Sequence, residues 1–177
     1  MHYGHSKLNI VSQSSPTGTQ YLQAVGTAFA MQRNQNGNVV YVSSGDGTTS
    51  QGDFHEALNW ASNSKAPVIF HIQDNEYAIS THKSEQTAGS VYSQVSGYVN
   101  LSKFQVDGTN FFETHLAFCQ AVERAKRGKG PSVIVSNVVR LMPHSSSDDQ
   151  RKYRKKEDLE QDLSRDPIKL FKTNCID

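Results

Sequence analysis

Only two cysteines occur among the 177 residues, Cys119 and Cys175. They are too few and too far apart for a disulfide scaffold or a paired-cysteine metal knuckle. An excess of one charge is missing as well: 18 Lys and Arg face 17 Asp and Glu, a formal net charge of +1. That balance argues against nucleic-acid binding through a strong basic field and against a polybasic membrane-surface role. No apolar run approaches the roughly 18–20 residues that cross a bilayer. The opening stretch MHYGHSKLNIVSQSSP lacks the charged-then-apolar order of a secretory signal. Internal repeats and low-complexity tracts are absent. These absences predict a soluble intracellular protein with reduced thiols, cytoplasmic or in an equivalent compartment such as a mitochondrial matrix. The length suits one domain. At 36% hydrophobic residues the composition is lean, as in a domain that buries part of its surface against a partner.

What is present is an alternation. Between Gly37 and Val139, β-branched runs (Val39–Val42, Pro67–Ile72, Phe104–Val106, Ser132–Val135) are separated by longer helical patterns. This predicts βαβ units and an α/β, doubly wound, mostly parallel sheet. The first, second and fourth runs lack apolar/polar alternation, which predicts strands covered on both faces. Helices are predicted over Thr19–Gln35, ending at Asn36-Gly37; over Ser50–Asn63, opened by a Ser50-Gln51-Gly52-Asp53 capping box; and over Phe111–Arg127. In the last, Leu116, Cys119, Val122 and Ala125 form the apolar side, so Cys119 is expected to pack inward. His55 on a helix and His71 inside a strand read as structural. Residues 1–150 read as the α/β domain and 151–177 as its charged helical extension, with eight Lys/Arg and six Asp/Glu. There a solvated helix is expected near Lys155–Leu163, and a terminal helix capped by Asp166-Pro167. Pro143–Asp149 is polar and turn-prone, a surface loop.

The informative residues start at Gly45-Asp46-Gly47, at the end of the first predicted strand. Asn75 follows twenty-nine residues after Asp46, just past the next strand. Adjacent parallel strands deliver their C-terminal loops to one crevice, where ligands bind in open α/β sheets. One carboxylate and one carboxamide oxygen suit Mg²⁺ together with substrate phosphates, rather than zinc. Gly45 and Gly47 allow close backbone approach to a phosphate, and Thr48 offers a hydroxyl. The residues alone leave two readings: a magnesium-bridged diphosphate, or an ordinary glycine turn.

Gly45-Asp46-Gly47, a helix, then Asn75 before Tyr77-Ala78-Ile79-Ser80-Thr81 resembles the thiamine-diphosphate motif. The wording is similar to the alpha chain of the decarboxylating first component of 2-oxo acid dehydrogenase complexes. Ser14-Ser15-Pro16-Thr17-Gly18-Thr19-Gln20 resembles that family's cofactor- and potassium-binding segment. Ser84-Glu85-Gln86 and the His144–Asp149 loop with Tyr153-Arg154 follow in the same order, the loop closer to branched-chain (2-oxoisovalerate) than to pyruvate enzymes. The resemblance implies a thiamine-diphosphate fold and oxidative decarboxylation of a branched 2-oxo acid with acyl transfer to a lipoyl group. It implies that Asp46, Asn75 and the Tyr77 carbonyl hold Mg²⁺, and that Ser15, Gly47, Thr48, Gln73 and His144 contact the cofactor. Ser14, Pro16, Thr19 and Gln20 would bind a structural potassium ion, and His144 would be the catalytic proton carrier. The implied partners are a beta chain or beta domain and the lipoyl-bearing acyltransferase; no nucleic acid or membrane is implied.

Each assignment has an ordinary counterpart. Ser14 and Thr19 also suit helix caps, Tyr77 a packing role, His144 an inert surface histidine, and Ser145–Ser147 plain loop serines rather than phosphosites. Gln73 stands where branched-chain relatives carry a diphosphate-pairing arginine, so lower diphosphate affinity is expected. Family alpha chains are longer, and the upstream Tyr-Arg pair and the beta-chain glutamate that activates the cofactor have no counterpart. The chain is thus expected to be a truncated cofactor domain, inactive alone. A transketolase-like or pyruvate-type thiamine enzyme, a non-catalytic assembly module and an unrelated nucleotide-binding protein are the alternatives.

Overall fold

The computed structural model describes residues 3–35 and 37–176. Helix α1 (Thr19–Arg33), strand β1 (Val40–Gly45), helix α2 (Gly52–Ser64) and strand β2 (Val68–Asp74) form the first half of the domain. A short hairpin, β3 (Tyr77–Ala78) and β4 (Thr81–His82), then runs into α3 (Lys83–Gln86) and α4 (Val91–Gln94). Strand β5 (Ser102–Asp107), helix α5 (Phe111–Lys126) and strand β6 (Ser132–Asn137) complete the sheet, and α6 (Lys156–Ser164) and α7 (Pro167–Cys175) follow. The four longer strands make one wholly parallel sheet in the order β1-β2-β6-β5. The doubly wound α/β expectation therefore holds. Gly45 pairs with Gln73 and Asp74 with Asn137, so the C-terminal ends of three strands lie in one row.

Side chains alternate between the two faces of β2 and β6. Val68, Phe70, Ile72, Val133 and Val135 meet Tyr21, Val25 and Ala28 of α1 and Phe54, Ala57, Leu58 and Ala61 of α2. Tyr21 and Phe54 tilt together with ring centroids 4.9 Å apart. On the opposite face, Ile69, Ile134 and Val106 pack against Ala117 and Ala121 of α5. Glycine at position 18 is left-handed (φ +99°), and a Cβ there would lie 2.9 Å from the Gln51 side chain, so the loop before α1 folds tightly over the start of α2.

Four local expectations are corrected. β1 is an edge strand rather than a strand covered on both faces: α5 lies over β2, β5 and β6, and Tyr41 is 54% exposed. The buried side of α5 is Ala117, Ala121 and Ala125, while Leu116 and Cys119 face outward. Alanines win that face because only small side chains let the helix approach the sheet closely. No capping box opens α2; Ser50 closes the 3₁₀ turn Asp46–Ser50, and Gln51 occupies the cap position without a side-chain bond. Thr19 is inside α1, with Gly18 at its cap, so neither Ser14 nor Thr19 caps that helix. Asn36, half of the expected stop after α1, and Met1-His2 at the start lie outside the described residues.

The C-terminal segment follows its prediction within one residue. Asp166 accepts the Ile168 N–H (2.9 Å) with Pro167 in the first turn. Its charges are mostly solvated, with one exception: Arg154 is buried and ion-pairs with Asp162 at 2.6 Å. Arg165 reaches Asp107 at 3.3 Å, and the Phe171 ring stands 5.1 Å from that of Phe111.

Candidate functional site

Asp46 is the first residue after β1 and is only 1% exposed. The parallel pairing that ends at Gly45 and Gln73 brings it beside the corner that follows β2. There the Asn75 N–H donates to Asp46 Oδ1 (3.4 Å), so the two residues expected to meet are in contact. Asp46 Oδ2 is buried and, among the described residues, has no hydrogen-bond partner. Thr49 Oγ1 (2.7 Å) and Gln86 Nε2 (3.3 Å) both donate to the Asp46 carbonyl, which fixes the turn. Burial, and then the neighbouring Asp74 carboxylate, push the Asp46 carboxyl above its usual range; the Asn75 amide and the Lys83 charge pull it back. A carboxylate oxygen left buried and unpaired is costly unless a cation or donor completes it.

The corner itself is an Asx turn. Asn75 Oδ1 accepts the Tyr77 N–H (3.1 Å), and Asp74 Oδ1 accepts the Glu76 N–H (3.0 Å). Glu76 adopts φ +70° to make the bend. Lys83 Nζ joins the two flanking carboxylates, at 2.8 Å from Glu76 and 3.5 Å from Asp74. The Glu76 carboxyl is held below its usual range by that lysine hydrogen bond. Gly47 faces the hairpin so closely that a Cβ there would sit 2.6 Å from Ala78 Cβ. The turn is a backbone cradle that only glycine fits. Thr48 is buried in the same turn, and Gln73, at the end of β2, is exposed.

Tyr77 is half-buried, its ring 5.1 Å from His82 and 5.8 Å from Tyr153. Arg140 and Arg154 lie over that ring at 5.4 and 5.1 Å. The same arginines hold the His144 loop. Arg140 donates to the Ile79 carbonyl (2.8 Å) and to Tyr153 (2.7 Å), and Tyr153 donates to Asp148 Oδ2 (2.6 Å). Asp148 also accepts the His144 N–H (2.8 Å), and these bonds hold its carboxyl low. His144 and Ser145–Ser147 are exposed.

In the segment before α1, Ser14 Oγ and Thr19 Oγ1 are in hydrogen-bond contact, and Thr19 donates to the Pro16 carbonyl (3.0 Å). Gln20 Oε1 accepts the Gly18 N–H (3.0 Å), and Ser15 is exposed. Ser14, Pro16 and Thr19 thus converge, with Gln20 turned to its own loop. A groove of about 520 Å³ between α1, β1 and residues 8–13 contains Gln20 but neither Asp46 nor Asn75. His71 is structural, as read: it is buried and its ring bonds Tyr41 and Ser136 at 2.9 Å each, while the half-buried His55 ring stands 5.3 Å from that of Phe54.

Among the described residues no three His, Cys, Asp or Glu side chains converge on a metal position. A closed protein cage is therefore absent, whereas one buried carboxylate with an open oxygen, an adjacent carboxamide and a glycine cradle suit Mg²⁺ shared with phosphate oxygens. Lys83 and Arg140 belong to no motif read from the sequence, and Arg154 enters only beside Tyr153 in the loop motif. Gln86 closes the Ser84-Glu85-Gln86 motif, which was the one signal for it. No helix among the described residues is long and apolar enough to cross a membrane.

The family described as dehydrogenase E1 component matches residues 1–177. The 2-oxoisovalerate dehydrogenase subunit alpha of Bacillus subtilis (strain 168) is 39% identical over 171 residues, 96% of this chain and 52% of the relative. The 3-methyl-2-oxobutanoate dehydrogenase subunit alpha of Mycobacterium tuberculosis is 40% identical over 165 residues, 93% of this chain and 45% of the relative. The pyruvate dehydrogenase E1 component subunit alpha of Staphylococcus epidermidis is 39% identical over 166 residues, 93% and 45% of the two chains. The chain spans about half the length of these curated relatives. Transketolase from Campylobacter jejuni superposes with a TM-score of 0.63 at 23% identity, covering 75% of this chain and 21% of the transketolase, a likeness of fold.

Proposed function

The chain belongs to the dehydrogenase E1 component family, and from that premise we propose that it is the diphosphate-anchoring part of a thiamine-dependent 2-oxo acid dehydrogenase alpha subunit. One observation carries the reading: Asp46, buried at the end of β1, bonds the Asn75 amide and keeps Oδ2 unpaired. Asp46, Asn75 and the Tyr77 carbonyl are the residues that would hold Mg²⁺. Gly47, Thr48, Gln73 and Ser15 would line the diphosphate, and Ser14, Pro16, Thr19 and Gln20 would hold potassium. When bound, the thiamine cofactor supplies the electron sink for decarboxylation. This chain's part is to anchor, orient and exclude water, and the His144 imidazole, which both accepts and donates protons, is suited to moving a proton at the loop.

The substrate class we favour is branched-chain 2-oxo acids, on the His144–Asp149 loop. Pyruvate is the second reading, supported by an identity of 39% to a pyruvate enzyme against 39–40% to the branched-chain ones. Rates on 3-methyl-2-oxobutanoate against pyruvate, measured on a subunit of the relatives' length with its beta partner and lipoyl acceptor, separate the two. The cofactor claim is tested by calorimetric titration of the chain with thiamine diphosphate, ATP and NAD, each with and without Mg²⁺. Mg²⁺-dependent binding of thiamine diphosphate, lost in Asp46→Ala, is expected. Preference for ATP or NAD would overturn it. Failure of the longer subunit with its partner to bind thiamine diphosphate would favour a non-catalytic assembly module.

A further inference from the structure

The corner that carries Asn75 is bracketed by two acids, and a single cation joins them. Asp74 is 5% exposed and Glu76 lies on the other side of Asn75 at φ +70°. Lys83, seven residues beyond Glu76 and across the β3–β4 hairpin, reaches Glu76 at 2.8 Å and Asp74 at 3.5 Å. Its own N–H donates to the Glu76 carbonyl at 2.8 Å. The residue therefore ties the corner by main chain and side chain at once. Three further bonds depend on that geometry: Glu76 N–H to Asp74, Tyr77 N–H to Asn75, and Asn75 N–H to Asp46. Lys83 begins α3, and Gln86 at the end of α3 donates to the Asp46 carbonyl. One short helix thus grips both halves of the site.

We propose that Lys83 is a positioning residue that clamps the Asp74–Asn75–Glu76 corner and so sets where the Asn75 carboxamide stands against Asp46. The inference rests on the cofactor reading for its consequence, but the clamp itself is a property of the unliganded chain. A clamp and a mere countercharge make opposite predictions. A countercharge opposes cation binding, so its removal tightens a divalent metal. A clamp orients a ligand, and loss of such supporting contacts weakens metal binding, typically about 10- to 100-fold.

The test uses the chain with Lys83→Met, Lys83→Arg and Glu76→Gln. Amide hydrogen exchange of the unliganded chain is read at Asn75, Glu76 and Tyr77, and Mn²⁺ binding in the presence of thiamine diphosphate is read by electron paramagnetic resonance. Lys83→Met should speed exchange at those three amides about 10-fold or more while Val133 and Phe70 in the sheet stay protected. It should weaken Mn²⁺ about 10-fold, with Lys83→Arg restoring most of both and Glu76→Gln intermediate. Unchanged exchange at Asn75, or tighter Mn²⁺ binding in Lys83→Met, overturns the clamp. Should the unsubstituted chain take up no Mn²⁺, the metal reading fails, and exchange at Asn75 alone still decides whether Lys83 holds the corner.

Discussion

The Asp46–Asn75 corner and the His144 loop sit at the same end of the molecule and are held by different physics. The corner grows out of paired strand ends: Gly45 is in register with Gln73, and the carboxylate beyond it is buried above a core of Tyr21, Phe54 and Phe70. The loop is exposed from Met142 to Ser147 and does not continue a strand of the sheet. It is shaped mainly by the side chains of Arg140, Tyr153 and Asp148, with one main-chain bond from the Asp148 N–H to the Ser145 carbonyl. On the proposed reading, the first kind of support suits fixed metal ligands and the second suits a group that moves with substrate.

Breaking the foundation of the corner should have the largest effect. Phe54→Ala removes a ring with no solvent exposure and should cost about 3–5 kcal/mol in chemical denaturation. A loss below about 1 kcal/mol would mean that α2 does not support the corner. Gly47→Ala sharpens the comparison at the site itself. With Ala78 Cβ 2.6 Å from the added methyl, about 2 kcal/mol should be lost, and Mg²⁺-dependent cofactor binding with it. In the loop, Asp148→Ala should leave the denaturation midpoint unchanged and speed amide exchange at His144, whose N–H it accepts. A global loss of stability there would contradict the separation of the two regions.

The smallest effect is a pH slope. Burial lowers the His71 imidazole pKa, so the folded chain prefers the neutral form. The unfolded chain titrates near the ordinary value of about 6.5. This contribution is therefore complete above that value and is lost as pH falls from it toward the lower folded one. Tyr41, Ser136 and Phe118, which surround the ring, bring no charge to offset it. His71→Gln should flatten the stability profile between about pH 7 and 5; an unchanged slope would assign it to other groups.

Much of the corner was legible before any coordinates. A Gly-Asp-Gly after a β-branched run and an asparagine after the next one put both residues at C-terminal strand ends, and the pairing of β1 with β2 makes those ends neighbours. The sheet and the three long helices were legible for the same reason of period. On α5, Val122 and Ala125 lie on the packed side as their spacing predicts, whereas Leu116 and Cys119 face out, because close helix–sheet approach selects the small Ala117 and Ala121. The exposed face of β1 is not legible in the sequence, because a run without alternation says nothing about which strand ends the sheet. The Lys83 clamp and the Arg140–Tyr153–Asp148 network were out of reach, since each depends on loop closure rather than on spacing. For Arg154 the charge run 151–177 suggests a solvated side chain, while its place beside Tyr153 in the loop motif suggests the site; Asp162 pairs with it in a buried position.

The central claim is that a metal-bridged diphosphate sits at the Asp46–Asn75 corner. Its most direct test is paramagnetic broadening of backbone amide signals when Mn²⁺ and thiamine diphosphate are added together to the ¹⁵N-labelled chain. The account predicts selective loss of the Gly47, Thr48, Asn75 and Tyr77 signals, abolished in Asp46→Ala. Broadening centred elsewhere, or the same loss in Asp46→Ala, would contradict it.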